Sequence, residues 1–416
     1  MFIIILELCV CFVLCLGQNH GDTEPQYQMN LTKFSVSTGN FSIELLYHVS
    51  KNLKQEEHSF VVSPFAAWTL LAVTSEGALG KTRKEVLRAM RFDPNSPRTT
   101  VRYYYQEIAR WLVVNRTTAQ FTKFSGIFMD RDEWQGIEDS FRQIAEKIYN
   151  TDAVNLNFKN NAAASTINRA VSLTTEDRIP TLIDEIHLNN THLLITSAVY
   201  FKGHWTLPFN ATFKRDFYDS IGEKIGEVNM MYNRHTYPFA NISELQASVI
   251  ELPYGVENHM SMIIMLPNPG ISPEDMFLNF LKANLNTVIQ ELRVSQERGD
   301  IEIDCLIPRF KIVSNFELNE VLRYGTGIYD LFDPKKVALG RLARRPIRDT
   351  KVVHKTEIDV TEESTTGTTS SVNTAPEFAN DSKITLEANR PFSFFIMEKH
   401  TNTVVLEGVY RKPILY

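Results

Sequence analysis

The chain reads as an α+β protein. Helical and strand-like hydrophobic periods alternate along it without the regular βαβ rhythm of a parallel α/β sheet. Its 416 residues carry no Gly/Ser- or Pro-rich linker and no internal repeat, so one large domain is the expectation. A hydrophobic content of 43% and a charged content of 22% fit an ordinary globular core.

The elements follow in order. Phe41, Leu45, Leu46 and Val49 fall at helical spacing. Residues 66–76 read as a buried helix. Thr82 to Met90 reads as a helix with Thr82 as N-cap and Glu85 completing a capping box. Residues 100–114 and 137–148 read as amphipathic helices. Strands are expected at 193–202, 247–252 and 260–266, the last two as neighbours joined through Pro253 and Gly255. Ile301 to Ile312 reads as one long strand interrupted by Pro308. Residues 392–398 and 403–410 have the spacing of a hairpin.

Between Lys351 and Glu387 the pattern changes character. Thr356, Ile358 and Val360 alternate with Lys355, Glu357 and Asp359, which predicts a strand. From Thr361 to Ser382 come small polar residues with no helical period, and Pro391 to Ile396 then resumes a buried-looking strand. So long a structureless stretch inside a domain needs a job. An exposed bait read by another protein would be one.

A net charge of −6 gives no pull toward nucleic acid or acidic membranes. Residues 1–17 resemble a secretory signal peptide, although the basic start is missing and Glu7 interrupts the apolar run; a short membrane anchor is the alternative. Residues 18–29 would be an N-terminal extension and 30–416 a single domain. Three of the four cysteines lie in the leader, so a processed chain would keep only Cys305 and have no internal disulfide. Cys305 alternates with Ile301 and Ile303 and reads as a buried core thiol. Asn-x-Ser/Thr acceptor triplets stand at Asn30, Asn40, Asn115, Asn189, Asn210, Asn241 and Asn380. Together with the leader they favour a secreted, extracellular glycoprotein.

No Gly-x-Ser-x-Gly elbow, His-Glu-x-x-His helix or phosphate-binding glycine loop is present, and no Cys/His spacing suggests a metal, so neither cofactor nor catalyst is expected. His354 falls on the inward face of its strand and reads as a core histidine.

Several segments, in this order, resemble the serpin superfamily: Phe60-Val-Val-Ser-Pro64 with Glu76-Gly-Ala-Leu-Gly-Lys-Thr82; Ser197 to Trp205 with Pro208-Phe209; Ile307-Pro-Arg-Phe-Lys311; Val353-His-Lys355 with Glu362-Glu363; Pro391-Phe392; and Leu406-Glu-Gly408. Each motif alone is weak, but the ordered set spans residues 30–416. The resemblance implies three β-sheets, eight or nine helices, a monomer, and a reactive loop at about 362–385. It also implies suicide inhibition of a serine protease, in which the protease cuts the loop and the loop enters the main sheet as a new strand. Ser63, Asn168 and His354 match the polar shutter beneath that sheet, Ser197 belongs with them, and Trp205 matches the breach above. Ala66 and Ser197 replace the family's usual Ser and Asn, so a thinner hydrogen-bond network is expected. The loose match to vertebrate signatures suggests an invertebrate member.

The hinge Glu362-Glu363-Ser364-Thr365 departs from the family, whose inhibitors usually carry Gly where Ser364 stands and a run of Ala after it. Gly367, Thr369, Ser371, Asn373 and Ala375 would follow Thr365 into the interior at strand period. An unpaired buried hydroxyl costs roughly 1–3 kcal/mol. The alternative reading is therefore a non-inhibitory serpin that binds, carries or stores something. Counting forward from the hinge places the cut bond at Phe378-Ala379, which suits a chymotrypsin-like protease; counting back from Pro391 lands near Asn380, and Lys383-Ile384 is a trypsin-type alternative. A basic stretch with Arg341, Arg344, Arg345 and Arg348 offers an exosite for an anionic ligand, or a solvated surface loop.

Overall fold

The computed structural model describes residues 24–53, 59–112, 119–131, 136–160, 162–255, 258–299, 301–362 and 384–413, with side chains from Phe34 onward. The leader, Asn115, and the hinge and loop residues Glu363, Ser364, Thr365, Gly367, Phe378, Ala379, Asn380 and Lys383 lie outside the described residues.

Eight α-helices are present among the described residues: α1 (Glu24–Asn52), α2 (Pro64–Gly77), α3 (Gly80–Ala89), α4 (Arg98–Leu112), α5 (Asp139–Tyr149), α6 (Ala162–Thr174), α7 (Pro273–Phe280) and α8 (Leu285–Arg298). α1 buries the predicted stripe of Phe41, Leu45, Leu46 and Val49. α2 is buried on all sides, as its near-continuous apolar sequence requires. It starts sharply because Ser63 caps it, accepting from Ala66 N, and Pro64 follows at the first helical position.

Thr82 does not cap a helix. α3 starts earlier, at Gly80, whose φ of +51° suits glycine. Thr82 Oγ1 instead accepts from Ala338 N at 3.1 Å, and Glu85 accepts from Tyr329 N and Asp330 N at 2.9 and 2.7 Å. Both side chains are spent on a distant segment.

Three sheets are formed. A six-stranded sheet runs β1 (Phe60–Val62), β15 (Thr403–Tyr410), β14 (Phe392–Glu398), β9 (Met260–Pro267), β8 (Ala247–Tyr254), β7 (Phe239–Ile242). Its centre is the predicted hairpin, with the predicted bounds. Gly408 is required there, since a Cβ would stand 2.4 Å from the Phe60 carbonyl oxygen of β1. A four-stranded sheet runs β13 (Ile384–Glu387), β10 (Ile301–Pro308), β6 (Lys224–Tyr237), β5 (Ala211–Tyr218). A five-stranded sheet runs β11 (Phe310–Glu317), β12 (Thr350–Val360), β4 (Leu193–Gly203), β2 (Ala119–Asp130), β3 (Asp152–Leu156).

The single strand expected over 301–312 is two strands in two sheets. Pro308 lacks the N–H that would continue a ladder, so the chain turns at Arg309 and changes sheets. Cys305 is fully buried and free, and burial pushes its thiol up. Ile303 is buried beside it, whereas Ile301 is exposed at the strand's open end.

The core fills both faces of the five-stranded sheet. On one face Ile195, Val199, Phe201 and Ile358 join the main core with α2. On the other, Phe124, Phe128, Leu194, Ala198 and Val353 pack against Ile167 and Val171 of α6.

Candidate functional site

The centre of the five-stranded sheet is a seam of unlike kind to its neighbours. β12 pairs with β4 in parallel, Thr350 opposite Leu193 through Ile358 opposite Phe201. On either side the ladders are antiparallel, β11 with β12 and β2 with β4. Parallel pairing is slightly weaker per residue. A strand entering between β12 and β4 with opposite direction would be antiparallel to both. The chain that leaves β12 at Val360 runs on through residues 363–383 to Ile384, the half-buried first residue of β13 in another sheet.

Beneath the seam sits a fully buried polar cluster. His354 Nε2 accepts the Ser63 N–H at 2.9 Å and lies 2.6 Å from the Thr356 hydroxyl. The backbone donor fixes the tautomer: Nε2 is the acceptor, and Nδ1 carries the proton toward Ser197 Oγ at 2.7 Å. Ser63 Oγ donates to Val405 O at 2.6 Å. The cluster thus ties together the start of α2, β4, β12 and β15. Burial holds the His354 imidazole down, to about 3.

The expected thinning of this network is not seen, because Thr356 supplies a hydroxyl on the same strand face. A period-2 reading from His354 points to Thr356, and the sequence analysis did not use it. Asn168 is elsewhere. It stands on α6, and its amide accepts from Leu182 N and Ile183 N at 2.8 and 3.0 Å and donates to Ile183 O at 2.8 Å. It does not join the His354 cluster, because α6 covers the opposite face of the sheet.

What Asn168 clamps is a strap, residues 175–189, laid across the seam. Lys355 Nζ donates to Thr181 O at 2.5 Å, and Asn315 of β11 donates to Leu182 O at 3.3 Å. The Arg178 guanidinium stands over the Tyr200 ring of β4 at 5.4 Å. Lys351 Nζ reaches the carbonyls of Ile186 and Asn189 at 3.4 and 3.5 Å. The sequence gives no periodic signal for the strap, whose role follows only from its contacts.

Above the seam the departing chain is anchored. Trp205 Nε1 donates to Thr361 O at 2.8 Å, and its indole stacks on Tyr254 with centroids 4.3 Å apart. Glu362 is buried; its carboxylate accepts from Thr212 Oγ1 at 2.6 Å and faces Arg309 at 3.5 Å. Trp205 and Glu362 are therefore brought together as expected, while Thr212 and Arg309 went unrecognised.

The four arginines ahead of β12 do not form one patch. Arg344 pairs with Glu138 at 2.9 Å. Arg348 lines a hollow with the acidic Glu317, Glu320 and Asp349. Arg345 is exposed, and Arg341 N donates to Gly77 O at 3.1 Å, at the end of α2. Of the acceptor asparagines, Asn189, Asn210 and Asn241 are exposed, Asn40 is half-buried, and Asn30 lies in α1. Among the described residues no cluster of three or more His, Cys, Asp or Glu side chains could hold a metal ion.

Comparison with known proteins agrees with this geometry. The sequence profile of the family described as Serpin (serine protease inhibitor) matches residues 36–413. Human Serpin B9 is 28% identical over 387 residues, covering 91% of this chain and 99% of that protein. Human Antithrombin-III is 28% identical over 393 residues, covering 92% of this chain and 82% of that protein. The Leukocyte elastase inhibitor of Xenopus tropicalis is 27% identical, covering 92% of this chain and 100% of that protein. The crystal structure of Manduca sexta serpin-12 superposes with a TM-score of 0.77 at 21% identity, covering 91% and 98% of the two chains, a likeness of fold. With its three sheets, its open parallel seam and a profile match over most of its length, this chain belongs to the serpin family.

Proposed function

We propose that this protein is a secreted suicide inhibitor of a chymotrypsin-like serine protease. The observation that carries the reading is the parallel β12–β4 seam, continued directly by the chain that would fill it. A protease attacking Phe378-Ala379 forms an acyl-enzyme on the loop. Release of the C-terminal side of the cut frees residues 363–378 to enter the seam as an antiparallel strand. Entry replaces one slanted parallel ladder by two antiparallel ones. The acylated protease is carried along before water completes the cycle. The buried polar cluster would be rearranged in the process, since Ser197 and His354 are partners across the seam that must part. In this reading the chain is bait and not catalyst.

Incubation with chymotrypsin-, elastase- and trypsin-like enzymes, read on a denaturing gel, tests it. A covalent complex with the chymotrypsin-like enzyme, and a rise in melting temperature after loop cleavage, are expected. Clean cleavage with no complex and no change in melting temperature would instead establish a non-inhibitory serpin. A complex formed only with the trypsin-like enzyme would move the cut to Lys383-Ile384.

A further inference from the structure

The end of α2 gathers four guanidinium groups around one carboxylate. Glu76, fully buried in the last turn of α2, is held by Arg102 through both oxygens at 2.9 and 2.7 Å and by Tyr149 Oη at 3.0 Å. That carboxylate is fully engaged. Arg98 Nη2 donates to Ala78 O at 2.7 Å and its Nε to Glu76 O at 3.3 Å, with Nε 3.7 Å from the Glu76 carboxylate. Arg83 on α3 donates from Nη2 to Ser96 O at 2.6 Å, but its Nε is buried with no hydrogen-bond partner. Arg341 is exposed and tied by its backbone to Gly77 O, and no ion pair holds its guanidinium among the described residues.

These groups press on one another. Burial lowers Arg83 and Arg98, and both feel the positive charge of Arg341; Arg98 also feels Arg83 and Arg102. The negative end of the α2 dipole, about half a charge, and Glu76 together leave the cluster with a large positive excess. Half-buried like charges and a buried orphan donor are unfavourable unless something answers them. Guanidinium forks match the paired oxygens of a tetrahedral oxyanion.

We propose that Arg83, Arg98 and Arg341 form a binding site for a compact tetrahedral oxyanion of the sulfate or phosphate class. The cluster gathers on one helix end and its half-buried guanidinia do not form a stripe, which favours a single anionic group over a run of them. That group can be free in solution or be the terminal sulfo or phospho group of a larger molecule. The site is independent of the reactive loop, so it stands or falls apart from the inhibitor reading.

The test titrates the full chain with sodium sulfate, sodium phosphate and a sulfated disaccharide, against sodium chloride at matched ionic strength. Calorimetry gives affinity and melting temperature gives linkage. Sulfate or phosphate should bind and raise the melting temperature beyond chloride. Arg341→Ala, an exposed change that leaves the fold intact, should weaken binding about tenfold or more, as expected for loss of a charge-assisted contact. Arg344→Ala, whose side chain is already paired with Glu138, should leave binding unchanged. Binding of the disaccharide but not of inorganic sulfate would identify the carried group as the ligand, provided Arg341→Ala abolishes it. Equal effects of chloride and sulfate, or undiminished binding in Arg341→Ala, would overturn the proposal. Arg83→Gln supplies a second check: it removes the orphan donor, so its anion response should also fall.

Discussion

Glu407 should be a source of instability, and replacing it should make the protein more stable in a pH-dependent way. The side chain is fully buried in β15. Its Oε2 meets the Ser42 hydroxyl, and its Oε1 has no partner at all. Burial raises the carboxyl well above the usual carboxylate range, with Ser42 opposing weakly. An orphaned buried oxygen costs about 1–3 kcal/mol. A carboxyl raised in the folded state is protonated there while the unfolded chain has already ionised. Its stability contribution is therefore complete below the unfolded value, about 4.3, and is lost at about 1.4 kcal/mol per pH unit until the folded value is reached. Methionine has similar volume and no charge to bury. Glu407→Met should gain about 2–3 kcal/mol at pH 5 and more at pH 8. For a chain of 416 residues the unfolding entropy is about 0.9 kcal/mol/K, so the melting temperature rises by about 2–4 °C at pH 5. Urea unfolding of parent, Glu407→Met and Glu407→Gln across pH 5–9 measures this, and differences between curves cancel every other titrating group. If the Glu407→Met advantage stays flat across that range, the carboxylate is ionised in the native protein and the reasoning fails.

Other outcomes follow from the same structure. Acid should destabilise through His354, which is neutral when folded. With its imidazole held down to about 3 and an unfolded value near 6.5, its contribution is present above pH 6.5 and lost at about 1.4 kcal/mol per unit as pH falls toward 3. His354→Phe should flatten urea-unfolding curves between pH 4 and 6.5. Lys123, between the Phe65 and Tyr105 rings with Ser125 Oγ at 3.2 Å, is lowered by burial to about 7. The unfolded chain holds that proton up to about pH 10.4, so stability should rise with pH between 7 and 10, and Lys123→Met should remove the rise. Trp205→Phe deletes the donor to Thr361 O and should cost about 1 kcal/mol, with faster exchange of the amides at the start of the loop as the readout. Thr365→Arg would force an unpaired charge into the sheet on insertion; protease should still cut the loop but escape, shown by turnover replacing the covalent complex.

The fold was legible where a hydrophobic period ran unbroken. The hairpin 392–398 and 403–410, the strand from Leu193 and the α1 stripe read directly because each buries a regular set of residues. Thr82 and Glu85 misled because their local capping geometry was outcompeted by long-range partners near residues 330 and 338, which no local spacing encodes. Pro308 announced a break but not that the chain would change sheets. At the site, His354 and Trp205 were readable from strand face and motif. Asn168 was placed in the wrong cluster because helix position alone does not say which face of a sheet the helix covers. The strap was invisible because its grip is made by backbone carbonyls, which every sequence supplies alike.

That strap sets an order of events. It is fastened to β11 by Asn315, to β12 by Lys355 and Lys351, and through Asn168 to α6, while the upper end of the seam near Ile358 and Phe201 lies beyond these ties. A parting that starts at the top meets no obstacle until it reaches the level of Lys355. From there each further step must lift the strap and loosen its hold on α6. The seam therefore behaves as a zip with a catch halfway down, and the time an inserting strand spends at the catch is time in which a bound acyl group can be lost to water.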